Sequence, residues 1–390
     1  GLVGWLGYEV AAQIERVPVR RDGGVGAPDA VWLLADRVLA FDHAARRLVA
    51  CALGFGASPA EAQRAAEQGA DRLAADAARG DAAAFAADAD ATHRSVASAG
   101  AIACEPLRLV DDATGLTLGA FFDEGSYAKR VAEIREAILA GDVYQANLTH
   151  RLAARFGGDA WRLYEALCAR SPAPFAAYLA LPEVTVVGAS PERFLRVGAD
   201  GAVESRPIKG TRPRGATPAD DARLRAELLA SAKERAENAM IVDLVRNDLA
   251  RACAPGSIEV PELFAIESYA TLFQMVSTVR GRLRPGRDAI DVLRAAFPPG
   301  SMTGAPKIAA IELLARLEPV PRGVYSGVLG WLGACGGADL SVVIRTWLCR
   351  GERAWLHVGG GVVLGSDPVA EWNETLAKAR APLDALAAAQ

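Results

Sequence analysis

At 390 residues, 51% of them hydrophobic and 23% charged, with a net charge of −4, the chain can bury a large core as one big domain or two and reads as an ordinary soluble globular protein. No basic stripe points to nucleic acid, and no apolar run reaches the ~18 residues that span a membrane. Six widely spaced cysteines without a CxxC pair (Cys51, Cys104, Cys168, Cys253, Cys335, Cys349) fit free thiols in a reducing cytoplasm, and four histidines without metal-ligand spacing (His43, His93, His150, His357) argue against histidine-based metal or triad chemistry.

The chain opens in dense apolar sequence, Gly1-Leu2-Val3-Gly4-Trp5, without a methionine, and reads as lacking its natural N-terminus. Strand patterns follow at Val31–Ala35, Arg37–His43 and Arg47–Leu53. Ala60–Arg79 has a helical pattern, and the looser Ala/Asp stretch behind it is expected to be a flexible connection. We therefore divide the chain into an N-terminal region, 1–105, and a compact block, 115–390. Tyr127–Ala140 is an amphipathic helix ended by Gly141. Strands are expected at Tyr144–Ala153, Phe175–Leu181, Val184–Val187, Arg193–Val197 and Ala202–Arg206. Thr217 caps, and Pro218 opens, one long helix to about Ala252. Further strands fit Thr271–Leu283, Tyr325–Ala334, Leu340–Arg350 and Ala354–Val358, and further helices fit Ala289–Phe297, Pro306–Leu317 and Pro368–Leu386. Strands and helices interleave without a βαβ rhythm, which predicts an α+β protein with large, mainly antiparallel sheets.

Lys209 lies in the constrained run Pro207-Ile208-Lys209-Gly210-Thr211, where Pro207 fixes its own backbone and Gly210 permits close approach of a ligand. If this loop lines a pocket, partial desolvation makes the amine a nucleophile; otherwise it is a basic surface loop. Glu234 and Glu237 share one helix face, as do Glu371, Glu374 and Lys378. If the four carboxylates converge they need a cation, and oxygen-only ligands suit Mg²⁺; if they do not, they are two solvated faces. Phe297–Lys307 is a Gly/Pro-rich lead into a helix N-terminus, suited to an anion but without P-loop spacing. Gly359-Gly360-Gly361 follows a strand and would offer backbone N–H groups at close range. Arg345 sits inside an apolar strand pattern and needs a partner, either a substrate carboxylate or an internal acid. Gly333-Ala334-Cys335-Gly336-Gly337 matches a GxCxG nucleophile pattern but offers no strand-to-helix elbow and no following His-plus-acid pair, so Cys335 is assigned to a loop.

Taken in order, Gly141–Thr149, Ser190-Pro191-Glu192-Arg193-Phe194, Pro207–Thr211, Asp243–Asp248, Gly304-Ala305-Pro306-Lys307, Ile344-Arg345-Thr346, Gly359–Gly361 and Glu371–Lys378 resemble the chorismate-utilising enzymes, the family of anthranilate synthase component I. The resemblance covers nearly the whole chain and implies a large αββα sandwich. In this family the residue before Gly210-Thr211 separates chemistries, and lysine there is similar to the members that aminate chorismate at C4, giving 4-amino-4-deoxychorismate on the route to p-aminobenzoate and folate. Gln145 stands where water-activating members carry lysine. Gln274 stands where anthranilate synthases carry histidine, and an amide does not shuttle protons near neutral pH.

The resemblance implies that Lys209 forms a covalent adduct with the ring and that Glu192 is the general acid/base. It implies Mg²⁺ held by Glu234, Glu237, Glu371 and Glu374. It places Gly210, Thr211, Ser301, Tyr325, Arg345, Gly359, Gly360, Gly361 and Lys378 around the substrate. It also implies ammonia from a separate glutamine amidotransferase subunit. Trp5 and Tyr8 lie in a stretch similar to part of a tryptophan pocket in relatives. The rival readings are anthranilate synthase component I chemistry, a non-catalytic regulatory relative, and a pyridoxal phosphate Schiff base at Lys209, for which nothing else in the sequence speaks.

Overall fold

A computed structural model describes residues 1–80 and 105–390. The chain begins with β1 (Leu2–Leu6), the one-turn α1 (Ala11–Ile14), β2 (Ala30–Leu34), the ribbon β3 (Arg37–Asp42) and β4 (Arg47–Ala52), and α2 (Pro59–Arg79). Then come β5 (Leu107–Val110), β6 (Thr117–Ala120), α3 (Glu124–Leu139), β7 (Gln145–Arg155), α4 (Ala160–Arg170), β8 (Phe175–Ala180), β9 (Thr185–Ser190), β10 (Arg193–Val197), β11 (Ala202–Arg206) and β12 (Ile208–Pro213). Helices α5 (Pro218–Ala230) and α6 (Ala232–Ala250) precede β13 (Glu259–Ser268) and β14 (Leu272–Arg282). The remainder is α7 (Ala289–Ala296), β15 (Gly304–Ala305), α8 (Lys307–Leu317), β16 (Val328–Leu332), β17 (Ala338–Val342), β18 (Thr346–Arg350), β19 (Arg353–Val362) and α9 (Pro368–Ala389).

Among the described residues these strands build a nine-stranded sheet, β12-β14-β11-β10-β17-β16-β1-β2 with β13 on β14, and an eight-stranded sheet, β5-β6-β7-β19-β18-β9-β8 with β15 on β7. Neighbouring strands pair antiparallel. One apolar cluster joins the two sheets: Trp5 and Leu329 of the larger sheet meet Val186, Leu348 and Trp355 of the smaller. A second packs α6 and α7 on the larger sheet through Ile241, Val245 and Val292, and a third packs α4 and α9 on the smaller through Leu163, Leu167 and Leu383. Helix, sheet, sheet, helix is the expected αββα sandwich, each sheet burying one face against the other and one against helices.

The differences from expectation have local causes. The helix expected from Pro218 to Ala252 is two helices, because Ser231 leaves helical geometry (φ −64°, ψ 108°) and caps α6 by accepting the Glu234 N–H at 3.4 Å. The expected strand Leu340–Arg350 is β17 in one sheet and β18 in the other; the chain changes sheets at Arg345, whose φ is +51°. Arg345 is therefore at a crossover and not inside a strand. Both strands are buried, so the apolar run carries no mark of the break. The glycines at 359–361 do not follow a strand but lie within β19, paired with Thr149, Leu148 and Asn147. Lys209 is on β12 rather than a loop. Helix α4, capped by Asp159, lies where strand signals dominate, and β13 was masked by Pro261, which suits a strand paired on one side only. The flexible connection expected after Arg79 lies outside the described residues.

Candidate active site

The candidate groups come from β12, β19, α6, α9 and three connections between the sheets, β9–β10, β14–β15 and β17–β18. The register of β12 on β14 shifts between Ile208 and Thr211, and Gly210 has φ +82°. A Cβ at Gly210 would lie 3.0 Å from Glu234 Oε2, so this glycine lets α6 close on β12. Half-buried Lys209 reaches across to β19. A Cβ at Gly361 would lie 3.2 Å from Lys209 Nζ and 2.4 Å from Gln145 Nε2. One residue earlier, a Cβ at Gly360 would lie 3.1 Å from Glu371 Oε2, 3.8 Å from Glu374 Oε1 and 4.0 Å from Lys378 Nζ. Two successive glycines thus hold the amine and the α9 carboxylates at backbone distance. Lys378 also donates to Gly359 O at 2.9 Å.

Glu192 is buried at the β9–β10 crossover. Burial pushes its carboxyl up to about 7, against the opposing pull of the Ser301 hydroxyl, Lys209, the Ile208 N–H and Arg345. The neutral acid can therefore donate a proton near neutral pH. Arg345, at the β17–β18 crossover, feels burial against it and Glu192 in its favour. Among the described residues its guanidinium makes no ion pair and no side-chain hydrogen bond, which leaves it for an incoming anion. Tyr325 is buried, stacks on His357 with centroids 5.2 Å apart, and is kept a phenol by that burial. Ser301 is buried against Glu192, whereas Thr211 is exposed on β12.

The four glutamates contact cations in pairs. Arg212 Nη1 lies 3.4 Å from Glu234, Lys233 Nζ lies 3.9 Å from Glu237 and 3.8 Å from Glu371, and Lys378 Nζ lies 2.7 Å from Glu374. Ser366 donates to Glu371 at 2.6 Å. Burial raises Glu237 and Glu371; it also acts on Glu374, but Lys378 holds that carboxyl below its ordinary value. Carboxylate oxygens on two facing helices fit a hard divalent cation by donor chemistry. Among the described residues no three such groups stand close enough to ligate one ion; they close on lysine and arginine instead.

Lys307, in the expected anion-binding turn, is turned inward: its amine donates to Asp248 at 2.7 Å and to Ala296 O at 2.6 Å, so it is not available to a ligand. The part of that turn that reaches the site is Ser301. Trp5 is wholly buried and donates to Pro28 O at 3.1 Å. Sequence reasoning missed Lys233, whose spacing to Glu237 looks like an ordinary i, i+4 pair. It also missed that the Gln145 amide is buried beside Lys209 without a hydrogen-bond partner among the described residues. Cys335 is exposed in the β16–β17 turn, as assigned, and the five cysteines among the described residues are free.

The chorismate binding enzyme family matches residues 1–384. The chain is 46% identical over 393 residues to an aminodeoxychorismate synthase of Streptomyces pristinaespiralis, covering 99% of this chain and 50% of that protein. It is 42% identical over 394 residues to anthranilate synthase component 1 of Streptomyces coelicolor, covering 100% of this chain and 73% of the relative. The crystal structure of anthranilate synthase component I from Streptococcus pneumoniae has the same fold, with a TM-score of 0.79 at 28% identity over 98% of this chain and 80% of that one. The chain spans about half the length of the Streptomyces aminodeoxychorismate synthases that it matches.

Proposed function

The chain belongs to the chorismate-binding enzymes, and within that family we propose that it aminates chorismate at C4 to 4-amino-4-deoxychorismate through a covalent adduct on Lys209. The observation that carries this reading is the position of Lys209, against Gly361 and within the electrostatic reach of a buried Glu192 raised to about 7. An amine so placed beside a proton donor suits nucleophilic attack coupled to loss of a hydroxyl.

In the proposed sequence the lone pair of the Lys209 amine attacks ring carbon C2, both conjugated ring double bonds shift by one position, and the C4–O bond breaks. Glu192 gives its proton to the departing hydroxyl, which leaves as water. Ammonia then attacks C4, both double bonds return to their first positions, and the C2–N bond breaks to release the lysine amine. The surplus proton of the new ammonium group passes to Glu192. Arg345 and Lys378 bind carboxylates of the substrate, and the Gly359–Gly361 backbone and the Tyr325 hydroxyl orient it. Glu234, Glu237, Glu371 and Glu374 would hold Mg²⁺, which when bound neutralises the ring carboxylate. Ammonia comes from a glutamine amidotransferase subunit. The aminodeoxychorismate synthase relatives, at 46% and 43% identity, support this chemistry.

The second reading is amination at C2 with loss of pyruvate to anthranilate, favoured by the 42% identity to an anthranilate synthase component 1. Gln274 and Lys209 oppose it. The test is mass spectrometry of products from chorismate, Mg²⁺ and ammonium salt with wild type and Lys209→Ala. We expect 4-amino-4-deoxychorismate from wild type and loss of most of it in the variant. Anthranilate from wild type, or full activity in the variant, would overturn the proposal.

A further inference from the structure

The cations on the four glutamates are not equivalent. Arg212 also donates to Thr211 O at 2.9 Å, and Lys378 also donates to Gly359 O at 2.9 Å, so each is anchored to backbone. Lys233 has no such anchor: among the described residues its ammonium makes no hydrogen bond, and it stands 3.9 Å from Glu237 and 3.8 Å from Glu371. Its side chain is 54% exposed, whereas those of Glu237 and Glu371 are 12% and 4% exposed. The two carboxylates are committed to the interior, and the lysine is free to leave it.

The two acids also come from different helices, Glu237 from α6 and Glu371 from α9. Uncompensated carboxylates at such a junction would repel each other and disfavour the approach of the two helix ends. Lys209 acts on Glu237 and Lys378 on Glu371, but Lys233 acts on both and so offsets part of the repulsion at the junction while binding neither tightly. A divalent cation supplies more charge at the same point and direct oxygen coordination, and would displace the lysine into solvent.

We propose that Lys233 is an exchangeable counter-cation of the carboxylate site, bridging Glu237 and Glu371 in the metal-free protein and giving way to the divalent cation. This rests on the reading of the glutamates as the Mg²⁺ site. The lysine competes with the metal, so its removal strengthens metal binding and does not weaken it.

The test is isothermal titration of Mg²⁺ into the metal-free chain without chorismate, for wild type, Lys233→Gln and Lys233→Arg. Lys233→Gln is expected to bind Mg²⁺ roughly three- to tenfold more tightly, a moderate figure for removing one partly exposed charge. Lys233→Arg keeps the charge and is expected to stay near wild type. Unchanged or weaker binding by Lys233→Gln, or equal tightening by both variants, would overturn the proposal. Absence of Mg²⁺ binding in all three proteins would overturn the metal site itself, and the exchange with it.

Discussion

Glu192 and Arg345 occupy two crossovers by which the chain passes between the sheets, Glu192 between β9 and β10 and Arg345 between β17 and β18. Each feels the other's charge, and burial opposes the ionised form of both. Their backbones stay tied to the sheets, Glu192 O accepting from Val342 N at 3.0 Å and Arg345 O from Ala189 N at 3.1 Å. That sets a buried carboxyl, the proton donor of the proposed reaction, within electrostatic reach of a guanidinium suited to an anion.

The raised Glu192 carboxyl sets a pH limb. The donor must be protonated, and its folded value is about 7, so kcat is expected to fall as pH rises through about 7. Ser301 stabilises the ionised form, so its loss raises the carboxyl further. Ser301→Ala is expected to move the alkaline limb of the pH–rate profile upward by about half a unit, the worth of a modest hydrogen bond. A downward shift would show that Ser301 supports the neutral acid instead.

Gly361 leaves room that the chemistry uses. Its Cβ would intrude to 2.4 Å from Gln145 Nε2 and 3.2 Å from Lys209 Nζ, so Gly361→Ala must displace one or both. Steady-state kinetics is expected to show a loss in kcat on the order of 100-fold, the cost of misplacing a reacting group by about 1 Å. Thermal unfolding close to that of wild type would separate this from a folding defect.

Arg322 is a structural pin beneath the site. Its guanidinium is buried, contacts Glu318 at 2.7 Å and donates to Asn147 O at 2.7 Å and Met302 O at 2.6 Å, with the Tyr8 ring 4.4 Å away. Glu318 in turn accepts from Thr149 N and Oγ1, each at 2.9 Å. Arg322→Met leaves that carboxylate buried without its cation and is expected to cost about 3–5 kcal/mol in urea unfolding. A loss below about 1 kcal/mol would mean that the surrounding donors suffice without it.

Patterns close in sequence carried most of the elements. Arg193–Val197 and Ala202–Arg206 are strands at the expected bounds, and the helices opening at Pro218 and Pro368 begin where proline and the preceding cap place them. The glutamate pairs at 234/237 and 371/374 could be read as shared faces because helical periodicity is local. The sheet change at Arg345 and the strand around Gly359–Gly361 could not, since a buried run looks alike on either side of such a break. The cross-helix bridge of Lys233 to Glu371 and the approach of Lys209 to Gly361 also depend on segments more than a hundred residues apart. The pattern of residues thus dictated which groups were available and what element each rides on, while packing of the two sheets and their outer helices decided which of them meet, because only burial brings distant segments into contact and shifts their charges.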